Sequence, residues 1–209
     1  VNTNMPEENT IEVATDQVRA LRTAGPGSLL VWHEPTDRVL LTEPGTIPDE
    51  NMMIIAGHSL RDLTEAMPHG DVERAIHLNG LARVWRVEWP TIKLMTPTMV
   101  PIRRALAARG IYVDNAPAVR YSKLLRRRWL TDEYAPNEFP RVTVRVMITH
   151  DHEELARACP NDALADIQIL VGKQLMERFA IEVDTLGPDV AAEVMAVATQ
   201  TVLKHMASA

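Results

Sequence analysis

The sequence predicts an α+β fold: a mainly antiparallel sheet of about four to six strands, short helices over one side, and a C-terminal helical hairpin. Three observations lead there. Apolar runs of strand length fill the first three quarters of the chain, first as a hairpin and then singly between helical stretches. These runs lack the strict strand–helix alternation of a doubly wound sheet, which leaves α/β as the second choice. From Pro160 onward the pattern turns helical and almost free of rings. The expected division is a flexible leader over 1–10, an α+β domain over 11–159, and a helical hairpin over 160–209, packed on the domain or used for oligomerisation.

In chain order, the first ten residues combine Asn, Thr, Glu and Pro with little to bury and read as a leader. Thr15 is placed to cap a short helix carrying Val18 and Leu21, which Gly25-Pro26-Gly27 stops. Ser28 to His33 and Arg38 to Thr42 are apolar runs joined by Glu34-Pro35-Thr36-Asp37, a hairpin signal. Met52 to Ile55 suits a central strand, and Ser59 caps a helix bearing Leu60, Leu63 and Met67. Asp71 opens a further short helix that Asn79-Gly80 is expected to break. Ala82 to Trp89 then alternates as a strand should, with Trp85, Val87 and Trp89 on one face and Pro90 closing it.

Thr96 or Thr98 starts a helix with Pro101 in its first turn and Gly110 at its end. On that helix Ile102 and Leu106 face inward, while Arg103, Arg104 and Arg109 lie outside. Ile111 to Val113 is a short strand, and Ala118 to Leu130 is read as a helix with Val119, Leu125 and Trp129 inward. Arg141 to Thr149 is the clearest strand, with Val142, Val144, Val146 and Ile148 on one face and Arg145 on the other. Asp151 with Glu154 forms a capping box for a helix. Ala163 to Phe179 and Val190 to Met206 then make two long helices, the second apolar nearly all round and so buried on more than one side.

Composition narrows the function. The chain has 209 residues, enough for a core without staples, with 46% hydrophobic and 24% charged residues. No apolar run approaches the roughly 20 residues of a membrane helix, so no membrane partner is expected. The N-terminus carries no secretory pattern, and the single cysteine, Cys159, permits no internal disulfide and suits a reducing compartment. The expected location is the cytoplasm.

Charge is unevenly spread. Pro101 to Leu130 holds eight Lys or Arg and one Asp, whereas the whole chain is −6, so the remainder is −13. Within that stretch Arg120, Lys123, Arg126, Arg127 and Arg128 have few acids nearby to offset them. The first reading is a non-enzymatic nucleic-acid-associated protein. In it an Arg-rich helix holds phosphates, aided by Arg103, Arg104, Arg141 and Arg145, with Tyr121 and Trp129 available to stack. The alternative is a structural or assembly subunit whose basic helix pairs with an acidic patch of another copy, and a homo-oligomer is expected.

A metal-dependent enzyme is the least favoured reading. His150 and His152 are its weak metal candidates beside carboxylates that helix capping already explains. No phosphate-binding glycine loop or nucleophile elbow occurs, so no catalytic residue and no cofactor are assigned.

Overall fold

In the computed structural model, the described residues are 11–59, 70–122, 127–136, 142–151, 164–171 and 173–182. They form two antiparallel sheets, a short helix and one long helix, an α+β architecture. The order is α1 (Thr15–Thr23), β1 (Leu29–His33), β2 (Arg38–Leu41), β3 (Met52–Gly57), α2 (Asp71–Ala107), β4 (Ile111–Val113), β5 (Ala118–Ser122), β6 (Arg127–Pro136), β7 (Val142–Asp151), β8 (Leu164–Val171) and β9 (Gln174–Glu182).

α1 begins one residue earlier than a Thr15 cap implies. Ala14 is the N-cap, and the Gln17 side chain takes over by accepting from the Ala14 N–H at 2.9 Å. Its buried Val18 and Leu21 seat it on the first sheet. β1 and β2 form the expected hairpin through a short 3-10 turn, closed by Asp37 in the left-handed conformation at φ 49°. The Asp37 carboxylate also accepts from the Trp32 indole at 2.9 Å.

The sheet order is β2-β1-β3, so β1 is central and β3 lies at an edge. The continuous apolar run of β3 therefore reports burial of both faces, not a central position. Gly57 ends β3 where a side chain has no room. A Cβ there would lie 1.9 Å from the Asp114 carbonyl oxygen, on the connection that leaves β4.

The helix expected to end at Asn79-Gly80, the strand expected over Ala82 to Trp89 and the helix expected from Thr96 are one 37-residue helix, α2, which runs through Gly80, Pro90, Pro97 and Pro101. The sequence ARVWRVEW satisfies both periods, and burial decides between them. Ala75, Leu78, Ala82, Trp89, Ile92, Met95, Met99, Ile102 and Leu106 are all buried at helical spacing, with Trp85 and Trp89 no longer on one strand face. Trp89 meets Trp32 edge to face at 6.3 Å, which ties the helix to β1.

The three prolines are tolerated because all sit on the exposed side. The carbonyls that lose their i+4 donor, those of Arg86, Lys93 and Pro97, belong to that side as well.

The second sheet has the order β4-β6-β7-β8-β9, with β5 beside β4 along the same edge of β6. Alternate residues of β6, β7 and β8 (Leu130, Tyr134, Val144, Val146, Ile148, Ile167 and Ile169 among them) are buried on one face. α2 packs on the strands of both sheets, and one core runs through the whole. β7 has the expected faces and runs to Asp151, two residues beyond the expected end at Thr149.

Two expected helices are strands. Ala118 to Leu130 supplies β5 and the start of β6, because Val119 and Leu130 face each other across an antiparallel ladder. The stretch read as the first arm of a C-terminal helical hairpin is the β8–β9 hairpin, with Val171 opposite Gln174. There the alternation of Ala165, Ile167 and Ile169, with the β-branched side chains of the two isoleucines, prevails over helical spacing. The expected boundary at 159/160 falls between β7 and β8, neighbours in one sheet. Among the described residues there is no C-terminal helical hairpin; the expected helices over 60–67 and 190–206 and the start of the helix after Asp151 lie outside them. No helix among the described residues is long and apolar enough to cross a membrane.

Candidate functional site

The side chains expected to hold phosphate are dispersed by the fold. Arg103 is buried, not exposed at a helix end. Its Nε and Nη2 donate to the two oxygens of Asp132 at 2.7 and 3.0 Å, and its Nη1 donates to the Pro48 carbonyl at 2.7 Å. The Tyr134 hydroxyl donates to the same carboxylate at 3.1 Å. Burial works to strip the guanidinium of its proton, but the charge and hydrogen bonds of Asp132, with Tyr134, outweigh it and leave the Arg103 pKa above its ordinary value. Burial pushes the Tyr134 hydroxyl well above the phenol range, and Asp132 pushes the same way. This bidentate cluster joins α2, β6 and the loop before β3, and it offers nothing to a ligand.

Arg120 and Arg145 share a hollow of about 210 Å³ on the sheet face turned away from α2, with Asn115, Thr131, Glu133 and Met147 among its lining. Arg145 is already held, since its Nε and Nη2 reach Glu133 Oε1 at 2.9 and 2.7 Å. The other Glu133 oxygen accepts from Asn115 Nδ2 at 2.9 Å. Arg120 stands opposite Trp129 in the ladder and is exposed.

Arg128 belongs to the opposite alternation. Its Nη1 donates to Thr91 Oγ1 of α2 at 3.0 Å, and its guanidinium lies 5.4 Å from the centre of the exposed Tyr121 ring. Arg104 is exposed on α2. Arg127 begins β6 opposite Ser122 and Asp151. Lys123, Arg126 and Arg141 lie outside the described residues.

Arg86 lies on α2, with its guanidinium over the Trp32 ring at 5.1 Å. His150 lies in β7 opposite Arg128, and His152 is outside the described residues. Among the described residues, no three His, Cys, Asp or Glu side chains come together as metal ligands.

The feature that sequence reasoning missed is the outward face of α2. Starting from Ile76, exposed positions recur at Gly80, Arg83, Val87 and Pro90, and then at Leu94, Pro97 and Pro101. The steps alternate four and three, the spacing of a helix seam that keeps facing one way. Val87 is 83% exposed and Ile76 is 67% exposed, and the flanking Val72 and Val84 are exposed too. The seam contains one charge, Arg83, and is bounded by the exposed Glu73 and Arg104. The signal lay in the sequence, hidden because glycine and proline were read as breaks in the helix. Scattered exposed apolar residues are ordinary on proteins, but a seam from Ile76 to Pro101 along one helix is a contiguous surface.

Comparison with protein-family models, with curated proteins and with solved structures finds no match to this chain, so its geometry alone carries the functional reading.

Proposed function

We propose that this protein is a structural or assembly subunit that associates with further copies of itself, using the outward face of α2. The observation that supports it is the exposed, mostly apolar seam from Ile76 to Pro101. At roughly 1.5 Å per residue the 37-residue helix is about 55 Å long. The seam from Ile76 to Pro101 takes up about 38 Å of that length, and with a width of one helix face, about 10 Å, it supplies roughly half of the ~800 Å² per partner that standard interfaces cover. The assembly reading drawn from the sequence thus keeps its class and changes its surface, from a basic helix to an apolar one. Light scattering on the full chain tests it: a mass of two or more copies that falls towards one copy in Val87→Glu is expected. A single-copy mass at every concentration up to about 100 µM, an affinity no better than roughly 5 kcal/mol would imply, overturns it.

A second reading rests on the hollow beside Trp129. Arg120 and Arg145 flank it, and a polyanion contacting Arg120 there has a ring at the adjacent register position. Binding of a single-stranded oligonucleotide that weakens steeply with salt, and that Arg120→Glu reduces tenfold or more, supports this reading. No binding at low salt removes it.

A further inference from the structure

From the spacing and charges of the α2 seam, we propose that the partner of α2 is the same helix of a second copy, lying antiparallel across a two-fold axis between Val87 and Pro90. This rests on the self-assembly reading above and specifies its geometry.

All the exposed positions from Glu73 to Arg104 except Val84 fall in one series whose steps alternate three and four, and this series reads the same from either end. Turned end for end, the seam therefore falls on itself in register. Val87 of one copy meets Pro90 of the other, Ile76 meets Pro101, and the small Gly80 meets Pro97. The apolar positions then occupy the middle of the contact, and alternating three–four steps let two helices stay together along their length at a shallow crossing angle.

Charge selects the direction. In the antiparallel register Glu73 of each copy lies opposite Arg104 of the other, so both ends close with an acid–base pair. A parallel arrangement would place Glu73 against Glu73 and Arg104 against Arg104, with the two helix dipoles aligned. Neither Glu73 nor Arg104 makes an ion pair within the chain among the described residues. Both are exposed and available for this contact.

Arg83, the one charge inside the seam, falls opposite Leu94. There its aliphatic stem lies along apolar surface, and its guanidinium comes to the carbonyls of Lys93 and Pro97. Those are two of the three carbonyls that Pro90, Pro97 and Pro101 leave without a helical donor. The residues that look most awkward in a helix thus have complementary positions in the pair.

A charge swap tests the register. The full chain, Glu73→Arg, Arg104→Glu and the double variant are compared by analytical ultracentrifugation, with circular dichroism showing that each remains folded. Each single reversal is expected to weaken the dimer tenfold or more by bringing like charges together at both ends, and the double variant is expected to restore it to within about threefold. If the wild-type chain dimerises and Val87→Glu dissociates it, but the charge variants have no effect, then the antiparallel register is wrong while self-assembly through α2 stands. A chain that is monomeric throughout overturns both.

Discussion

Arg103 and Arg104 are adjacent in sequence and opposite in consequence. Arg103 is enclosed with Asp132 and Tyr134, and removing one partner of such a pair leaves a buried charge without compensation. Arg103→Ala is expected to cost about 3–5 kcal/mol in urea unfolding, against less than about 0.5 kcal/mol for the exposed Arg109→Ala. Equal effects would remove the cluster from its structural role.

Tyr134 adds a pH dependence. Its folded pKa is raised, whereas an unfolded tyrosine ionises near about 10. Its contribution is therefore fully present below about pH 10 and is lost as the pH rises beyond that towards the folded value. The stability gap between the wild-type chain and Tyr134→Phe should shrink above about pH 10, and a constant gap would contradict the assignment. Gly57 gives a third expectation at this scale. An added methyl would meet the Asp114 backbone, not a movable side chain, so Gly57→Ala should lose about 3 kcal/mol. None of these contacts has a local signature, since Arg103 and Asp132 are brought together only by the docking of α2 on β6.

Among the elements, hairpin β1–β2 and strand β7 were legible because each has a single period and clear ends. α2 was not. Gly80 and three prolines punctuate it, and its middle alternates like a strand, yet the buried series from Ala75 to Leu106 supplies enough tertiary contact to hold the helix through them. Placing prolines on the exposed side limits their cost, because the freed carbonyls can be satisfied outside the helix.

The basic stretch failed as a helix for the converse reason. Cations every few residues fit helical spacing, but the apolar residues between them pair across β5 and β6. That placement separates Arg128, which ties β6 to α2 through Thr91, from Arg120 in the outer hollow. Arg128→Ala should therefore lower stability by about 1 kcal/mol, the worth of a typical hydrogen bond, and Arg120→Ala by less than about 0.5 kcal/mol. Thermal unfolding of the two variants decides this, and the reverse order would place the wrong arginine against α2.

At the scale of the whole molecule, two sheets of different size are held by one helix, and the face of that helix pointing away from both carries the apolar seam. The α+β class was readable from patterns of strand length, and the sign separation along the sequence was correctly seen. Its interpretation changed in the fold, because Arg103 and Arg145 are neutralised by Asp132 and Glu133, acids from elsewhere in the chain. Once those cations are accounted for, the exposed face of α2 is the larger surface among the described residues still requiring an explanation, and its reversible spacing points to a second copy. The direct measurement is the solution mass of the full chain across a dilution series, beside Val87→Glu. The account predicts twice the 23.4 kDa of one copy, dissociating on dilution, and a single-copy mass for the variant at the same concentrations. A wild-type chain of 23.4 kDa throughout, or a Val87→Glu dimer as tight as the wild type, would contradict it.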